Sequence, residues 1–306
     1  MPGIDPCYGG CGGRVAGMNF VERAMNFSCC GERLIGVLAA PASAATVGLL
    51  VVVGGPQYRV GSHRQFVLLS RALATAGVAV MRFDYRGMGD ATGHARSFED
   101  VVPDVAAAMD ALQAACPAIE HIVLWGLCDA ASAALMYLQA TQDPRVAGVA
   151  LLNPWIRSDA TIAKAELKHY YGQRLLDREF WAKLMQGRVD IASAVKAIAT
   201  KIRTAARGQP RADVSASTLF QDRMAEGLRR TRVPVLILLS ERDLTAREFL
   251  DGVQADGHWR GLLTRANVER HDIANADHTF STLAWRSAVE MRTLDWLRRK
   301  LLAERQ

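Results

Sequence analysis

Short apolar runs alternate with stretches of helical spacing through the first half of the chain and again near its end. The apolar runs have the length of buried strands and lie at 47–53, 78–83, 121–127, 146–152 and 233–239, and a further strand pattern follows at 268–273. Between and after them, apolar residues recur at the spacing of one helix face over 62–76, 98–116, 130–140 and 282–302. Continuous apolar strands that alternate with amphipathic helices predict an α/β protein with a mostly parallel sheet, covered on both faces.

Two segments depart from this rhythm. Strand-like runs at 19–27 and 33–40 are separated by a turn and predict an antiparallel hairpin. From Trp155 to about residue 231 the chain is mostly helical and charged, with no strand pattern, which predicts an inserted helical cap. The predicted organisation is a flexible, Gly- and Pro-rich N-terminus at 1–17, a core of 18–154 and 232–306, and a cap at 155–231.

Composition excludes several classes of protein. The 306 residues are 50% hydrophobic and 22% charged, as in an ordinary globular protein. No apolar run reaches the roughly 18–20 residues that span a bilayer, and no secretory signal is visible, so a cytoplasmic location is expected. The net charge of +6 indicates either solvated basic helix faces or attraction of an anionic substrate or carrier. No nucleic-acid motif accompanies the basic residues.

Six cysteines raise the question of a metal. Four of them lie early, at Cys7, Cys11, Cys29 and Cys30, but no histidine lies nearby to complete a zinc site. Free thiols in a reducing compartment are the favoured interpretation, and no metal or cofactor is predicted.

The chemistry centres on Cys128. The sequence GLCDA (126–130) runs from a strand directly into a helix, with small residues two positions before and two after the cysteine. A sharp strand-to-helix turn needs such small neighbours and projects the central side chain above the sheet, which is the geometry of a nucleophile elbow. The helix N-terminus would stabilise a thiolate there. The alternative is a buried structural cysteine.

A nucleophile of this kind needs a base and a group that orients the base. Asp243 follows the strand at 233–239 and is the predicted acid, with Glu241 as the competitor. His278 follows the last strand and is the predicted base; His271 is the alternative but lies within that strand. The order nucleophile, acid, base along the chain is the one associated with the α/β-hydrolase fold.

These residues carry a resemblance to the α/β-hydrolase superfamily over nearly the whole chain. More narrowly, the chain resembles the exosortase A system-associated hydrolases, type 1, in GGPQYRVGSHRQF (54–66), FDYRGMGD (83–90) and GLCDAAS (126–132). That resemblance implies a hydrolase encoded beside exosortase and exopolysaccharide genes of Gram-negative bacteria, with no known substrate. The cysteine nucleophile is also similar to that of dienelactone hydrolases, although Ala130 stands where that family tends to have glycine.

Two backbone N–H groups should form the oxyanion hole. One belongs to Asp129, directly after the nucleophile. Many relatives have His-Gly after the first parallel strand, whereas this chain has Gly54-Gly55-Pro56. Because proline has no N–H, Gln57 is the predicted second donor, with its side chain as a further one.

Substrate-binding residues are predicted around this site. Tyr58, Arg59 and His63 belong to the same loop and would line the entrance. Arg86 would either bind an anionic substrate or brace the backbone. Trp155 would either roof the pocket or pack the cap against the core.

The predicted reaction is two-step acyl transfer on a small ester or thioester, free or linked to CoA or a carrier. Two alternatives remain open: an acyltransferase with the same machinery, and a non-catalytic binding or scaffold module. The oligomeric state is not predicted.

Overall fold

A computed structural model describes residues 19–55, 57–156 and 219–302. The strands in the described part of the chain are β1 (Phe20–Cys29), β2 (Glu32–Pro41), β3 (Val47–Val52), β4 (Ala79–Asp84), β5 (His121–Leu127), β6 (Val146–Leu152), β7 (Val235–Ser240) and β8 (Val268–Ile273). They form one sheet in the order β1-β2-β4-β3-β5-β6-β7-β8. The β1–β2 and β2–β4 pairs are antiparallel, and every other pair is parallel. The predicted α/β fold and its antiparallel hairpin are therefore confirmed.

Six α-helices lie in the same residues: α1 (Gln65–Thr75), α2 (Val102–Ala115), α3 (Asp129–Thr141), α4 (Phe220–Arg230), α5 (Leu244–Ala255) and α6 (Leu283–Leu297). Short 3₁₀ turns, Ser62–Arg64 and Phe98–Asp100, precede α1 and α2, and a π-helical turn, Arg298–Leu302, extends α6. The predicted helices at 62–76, 98–116 and 282–302 thus have irregular ends. Within the described residues, no helix is long and apolar enough to cross a bilayer.

The central strands are buried on both faces. Leu50, on β3, and Leu124, on β5, belong to a cluster on one face, which α2, α3, α4 and α5 cover. Val51 and Trp125, their chain neighbours, belong to a cluster on the opposite face, which α1 and α6 cover. Since successive side chains of a strand point to opposite faces, this division explains why the strands read as continuous apolar runs.

Helix α4 corrects the predicted end of the cap. Its side chains Met224, Ala225 and Leu228 are buried in the same cluster as α3. A Cβ on Gly227 would overlap the carbonyl oxygen of Leu135, so the two helices are in close backbone contact. The helix lies inside the predicted 155–231 cap but packs in the core. Trp155 and Ile156, at the start of the predicted cap, are among the described residues. The cap residues 157–218 and the predicted flexible N-terminus at 1–17 lie outside them.

The hairpin turn carries two of the early cysteines. Cys29 is buried and Cys30 is exposed; both are free, with their sulfurs 3.8 Å apart. Burial is the main reason that the pKa of Cys29 is raised to about 12, which keeps this thiol protonated at neutral pH. Cys7 and Cys11 lie outside the described residues.

Candidate active site

The elbow at Cys128 has the backbone that its neighbours predict. Strand β5 ends at Leu127, α3 begins at Asp129, and Cys128 between them has φ 64° and ψ −127°. A non-glycine residue at such a positive φ is strained by about 1–3 kcal/mol, and strain of this kind clusters at functional sites. A Cβ on Gly126 would lie 2.6 Å from the carbonyl oxygen of Ala130. The glycine is therefore required for the helix to start so close to the strand.

Backbone hydrogen bonds hold this turn on both sides. The N–H of Cys128 donates to the carbonyl oxygen of Leu152, at 2.8 Å. The carbonyl oxygen of Cys128 accepts from the N–H of Ala131, at 3.1 Å, and from that of Trp155, at 3.2 Å. The hydroxyl of Ser132 donates to the carbonyl oxygen of Trp155, at 2.5 Å. Trp155, predicted at the pocket roof, therefore lies beside the elbow and supports it through its backbone.

The predicted base and acid are in direct contact. Nδ1 of His278 lies 2.7 Å from Oδ2 of Asp243. The Asp243 carboxylate is buried and also caps α5, accepting from the N–H groups of Thr245 and Ala246 at 3.1 and 3.2 Å. These bonds fix the carboxylate against the imidazole, so the histidine ring has one preferred orientation.

The competing residues have other partners. Glu241 accepts the N–H of Asn275 at 2.7 Å, which closes the loop that carries His278. His271 lies 2.7 Å from Glu269 on the edge strand β8. Neither alternative is part of the contact between His278 and Asp243.

Cys128 completes the chain of contacts. Hydrogen bonds to Asp243 and then to the Cys128 side chain outweigh the effect of burial and raise the pKa of His278 to about 10. The structure therefore brings together three side chains that follow β5, β7 and β8. At neutral pH the raised pKa of His278 gives its ring a positive charge beside the Cys128 side chain.

Asn153 is a functional candidate that the sequence reading missed. It is fully buried directly after β6, with φ 42°, a conformation that asparagine tolerates better than most residues. Its Oδ1 accepts the N–H of Ser240 at 2.8 Å, and its Nδ2 donates to the carbonyl oxygen of His278 at 3.1 Å. Asn153 thus joins the ends of β6 and β7 to the histidine loop. In the sequence, the Asn-Pro pair directly after a strand was the signal that could have indicated this residue.

The loop after β3 carries the expected second oxyanion donor. The N–H of Gly55 donates to Oδ2 of Asp129 at 2.9 Å. Pro56 lies outside the described residues. The side chain of Gln57 accepts the N–H of Ser62 at 3.2 Å, within its own loop. That bond uses the side-chain oxygen, so both expected donors of Gln57, its backbone N–H and its side-chain NH₂ group, stay predictions.

Arg59 differs from its predicted role. Its guanidinium binds the buried carboxylate of Asp84 and lies 2.6 Å from Asp90. Its backbone N–H also donates to Oδ1 of Asp84, at 2.7 Å. The side chain fixes the loop to the end of β4, which corrects its assignment to substrate. Tyr58, with its ring centroid 5.7 Å from this guanidinium, and His63 are both exposed, so they remain available at the surface of the loop.

Arg86 braces the fold. Its guanidinium makes two hydrogen bonds to Asp104, at 2.9 and 2.7 Å, and its backbone N–H donates to the same carboxylate at 2.9 Å. Both residues are buried. A buried bidentate pair leaves no charge for an anionic substrate, because breaking it would isolate the aspartate. The bracing alternative therefore replaces substrate binding.

The chain matches the family model Hydrolase_4, described as serine aminopeptidase S33, over residues 47–250. That range includes the elbow and Asp243. The chain belongs to this S33 hydrolase family. Its members are named for a serine, whereas this S33 hydrolase carries Cys128 at the elbow. No curated protein sequence matches the chain.

Solved structures place the S33 hydrolase among α/β-hydrolase folds. The esterase Pf2001 of Pyrococcus furiosus matches with a TM-score of 0.63 and 16% identity, covering 92% of each chain. Est1E of Butyrivibrio proteoclasticus, solved with ferulic acid, matches with a TM-score of 0.60 and 14% identity over 91% of this chain and 99% of that one. The dienelactone hydrolase of Anabaena variabilis matches with a TM-score of 0.56 and 14% identity, over 92% and 99%. At these identities the likeness shows the fold.

One group of metal-ligand side chains occurs in the described part of the S33 hydrolase. Asp222, Asp256 and His258 bring their ligand atoms within 4.8 Å of one another. They lie on α4 and on the connection from α5 to β8. The imidazole contacts both carboxylates, at 2.9 and 3.3 Å.

Proposed function

We propose that this S33 hydrolase cleaves small acyl esters or thioesters through an acyl-enzyme on Cys128. The observation that carries the proposal is the chain of contacts from Cys128 through His278 to Asp243, which matches the required order of nucleophile, base and orienting acid. The backbone strain at Cys128 supports it, because an inert core cysteine would have no need of a positive φ.

The reaction proceeds in two balanced steps. The Cys128 thiolate forms a bond to the substrate carbonyl carbon, and the carbonyl electron pair moves to oxygen, held by the N–H groups of Asp129 and Gln57. The oxyanion then collapses, the bond to the leaving oxygen or sulfur breaks, and His278 gives that atom its proton. In the second step His278 takes a proton from water, hydroxide attacks the acyl carbon, and the acid leaves while the thiolate is restored.

The raised pKa of His278 decides the resting state of the site. With a pKa of about 10, the ring is protonated at neutral pH and begins turnover as an acid. A sulfur nucleophile suits thioesters, where one sulfur ester is exchanged for another.

Replacement of the nucleophile tests the proposal. Cys128→Ala should lower kcat for p-nitrophenyl acetate and acetyl-CoA by ~10³-fold or more, because the residue forms the covalent intermediate. Acyl-enzyme on Cys128 should be visible by mass spectrometry after brief mixing with substrate. Cys116→Ala is the matched control, since this free, half-buried thiol follows α2 at the other edge of the sheet. Unchanged turnover in Cys128→Ala would refute the proposal.

The positive charge favours an anionic acyl donor. At +6 the chain attracts CoA or a carrier phosphopantetheine more strongly than a neutral ester. If water is excluded, the same acyl-enzyme would pass its acyl group to a sugar hydroxyl, which agrees with the exopolysaccharide setting implied by the motif resemblance. An excess of a sugar acceptor added to the acetyl-CoA assay separates transfer from hydrolysis.

The free thiols Cys29, Cys30, Cys116 and Cys128 support a reducing, cytoplasmic location as part of this proposal.

A further inference from the structure

The Asp129 side chain joins the two parts of the site that should hold the oxyanion. Asp129 is the first residue of α3, directly after Cys128, and its own N–H is the first proposed donor. Its Oδ2 accepts the N–H of Gly55, 2.9 Å away, from the loop after β3 that carries the second donor. The same residue therefore offers its backbone to the reaction and its carboxylate to the loop.

Gly54 shows how closely the loop and the helix are packed at this point. A Cβ on Gly54 would overlap Oδ1 of Asp129 and would lie 2.6 Å from the backbone nitrogen of Ala130. The carboxylate therefore fills the space that any larger residue at position 54 would need. The loop is held against the helix N-terminus by shape as well as by the hydrogen bond.

The hydrogen bond also decides which N–H groups remain for a substrate. The N–H of Gly55 is used by Asp129, and proline at position 56 has none. The next N–H along the loop is that of Gln57, whose side chain is fixed by the N–H of Ser62. The separation between the two proposed donors thus depends on where the carboxylate holds the peptide between Gly54 and Gly55.

We propose that Asp129 is a positioning residue for the oxyanion hole, whose carboxylate sets the place of the Gln57 N–H by binding the N–H of Gly55. The role rests on the proposed acyl transfer. It is one of geometry, because a carboxylate beside a developing oxyanion repels that charge. Burial raises the pKa of Asp129 despite the hydrogen bonds from Gly55 and Ala130, which agrees with the cost of holding a charge there.

Two variants of Asp129 separate geometry from charge. Asp129→Ala removes the acceptor, and kcat for p-nitrophenyl acetate should fall by about 10- to 100-fold with little change in KM, the effect of a misplaced oxyanion donor. Asp129→Asn keeps an oxygen that can accept from Gly55 and should recover most of that loss. Alkylation of Cys128 by iodoacetamide forms no oxyanion, so its rate should stay level or rise in both variants.

A third readout needs no substrate. Hydrogen exchange at the amide of Gly55 should become faster in Asp129→Ala and stay slow in Asp129→Asn. Asp256→Ala is the matched control, because Asp256 also accepts a backbone N–H at 2.9 Å, from His258, in the turn that follows α5. It should change neither exchange at Gly55 nor turnover.

The outcomes distinguish this inference from the proposed function. Unchanged kcat and unchanged exchange in Asp129→Ala would overturn the positioning role, and so would an equal loss of kcat and alkylation rate, which would mean general damage to the elbow. A failure of the proposed function appears elsewhere, as absence of turnover in the wild type or survival of turnover in Cys128→Ala. In that case the exchange data still decide whether Asp129 holds the loop.

Discussion

The Asp243 carboxylate makes two kinds of contact, one with the imidazole of His278 and one with the backbone at the start of α5. One of its oxygens binds His278, and both oxygens accept the first N–H groups of α5. Asparagine is about as good an N-cap as aspartate, whereas alanine costs about 0.5–2 kcal/mol. The choice of substitution can therefore separate the proposed catalytic contact from the structural one.

Asp243→Asn should lose activity and the stability that comes from its contact with the charged His278 ring, while it keeps the cap of α5. We expect kcat to fall by ~10²-fold or more, because a neutral amide no longer fixes the tautomer or stabilises the imidazolium. Asp243→Ala should lose activity equally and, in addition, about 1 kcal/mol of unfolding free energy. Urea unfolding alongside kcat checks both. Glu241→Gln is the control for the competing acid; a larger loss of kcat there than in Asp243→Asn would reverse the assignment.

The site residues that could be predicted from the sequence are those that come directly after a strand. Cys128, Asp243 and His278 each follow a strand, and the carboxyl ends of parallel strands meet at one edge of the sheet. The partners of Arg59 and Arg86 could not be found in this way. They depend on Asp84 and Asp104, whose burial becomes visible only when β4 and α2 are packed.

At the level of elements, strands were predicted better than helices. Each strand of the parallel sheet appears within about two residues of its predicted position. For β3 to β7 the reason is burial on both faces, which gives an apolar run, whereas β8 is polar and partly exposed. Helix α5 was missed although Asp243 caps it, and α4 was assigned to the cap because charged residues dominate its composition. Only contact with α3 reveals that the apolar stripe of α4 faces the core.

Gly227→Ala tests the packing of α4 on α3. In an exposed helix this change stabilises by up to about 1 kcal/mol. Here the new Cβ would overlap the backbone of Leu135, and overpacking costs about 1–3 kcal/mol. We therefore expect net destabilisation in a urea titration. Gly252→Ala, on α5, is the control: its Cβ would meet only the movable Cδ1 of Ile156, at 3.1 Å, and should be tolerated. Equal behaviour of the two variants would place α4 outside the core.

For the molecule as a whole, the site makes stability depend on pH. The pKa of His278 is raised from 6.5 to about 10 in the fold. A raised pKa means that the folded state binds the proton more tightly, so this contribution to stability is complete below about pH 6.5 and is lost as the pH rises towards 10. A carboxylate with a lowered pKa would give the opposite pH dependence, because its contribution to stability is lost as the pH falls.

Thermal unfolding of wild type and His278→Gln across pH 6–10 checks this sign. The stability advantage of the wild type should be greatest at pH 6 and should shrink steadily towards pH 10, because the other ionisable groups are common to both proteins. The difference in stability between Cys128→Ala and the double variant Cys128→Ala/His278→Gln should be smaller, since the Cys128 side chain is the second contact that raises the pKa of His278. If the stability advantage of the wild type over His278→Gln grew with pH, a positively charged His278 in the folded protein would be contradicted.

The distribution of the triad over β5, β7 and β8 has a consequence for how the protein is made. Synthesis proceeds from the amino end, so the segment with the strained thiol leaves the ribosome long before the one with the imidazole. The histidine loop follows β8, the last of the described strands along the chain. A nascent chain therefore carries its sulfur without the neighbouring imidazole until β8 and the loop after it have been synthesised.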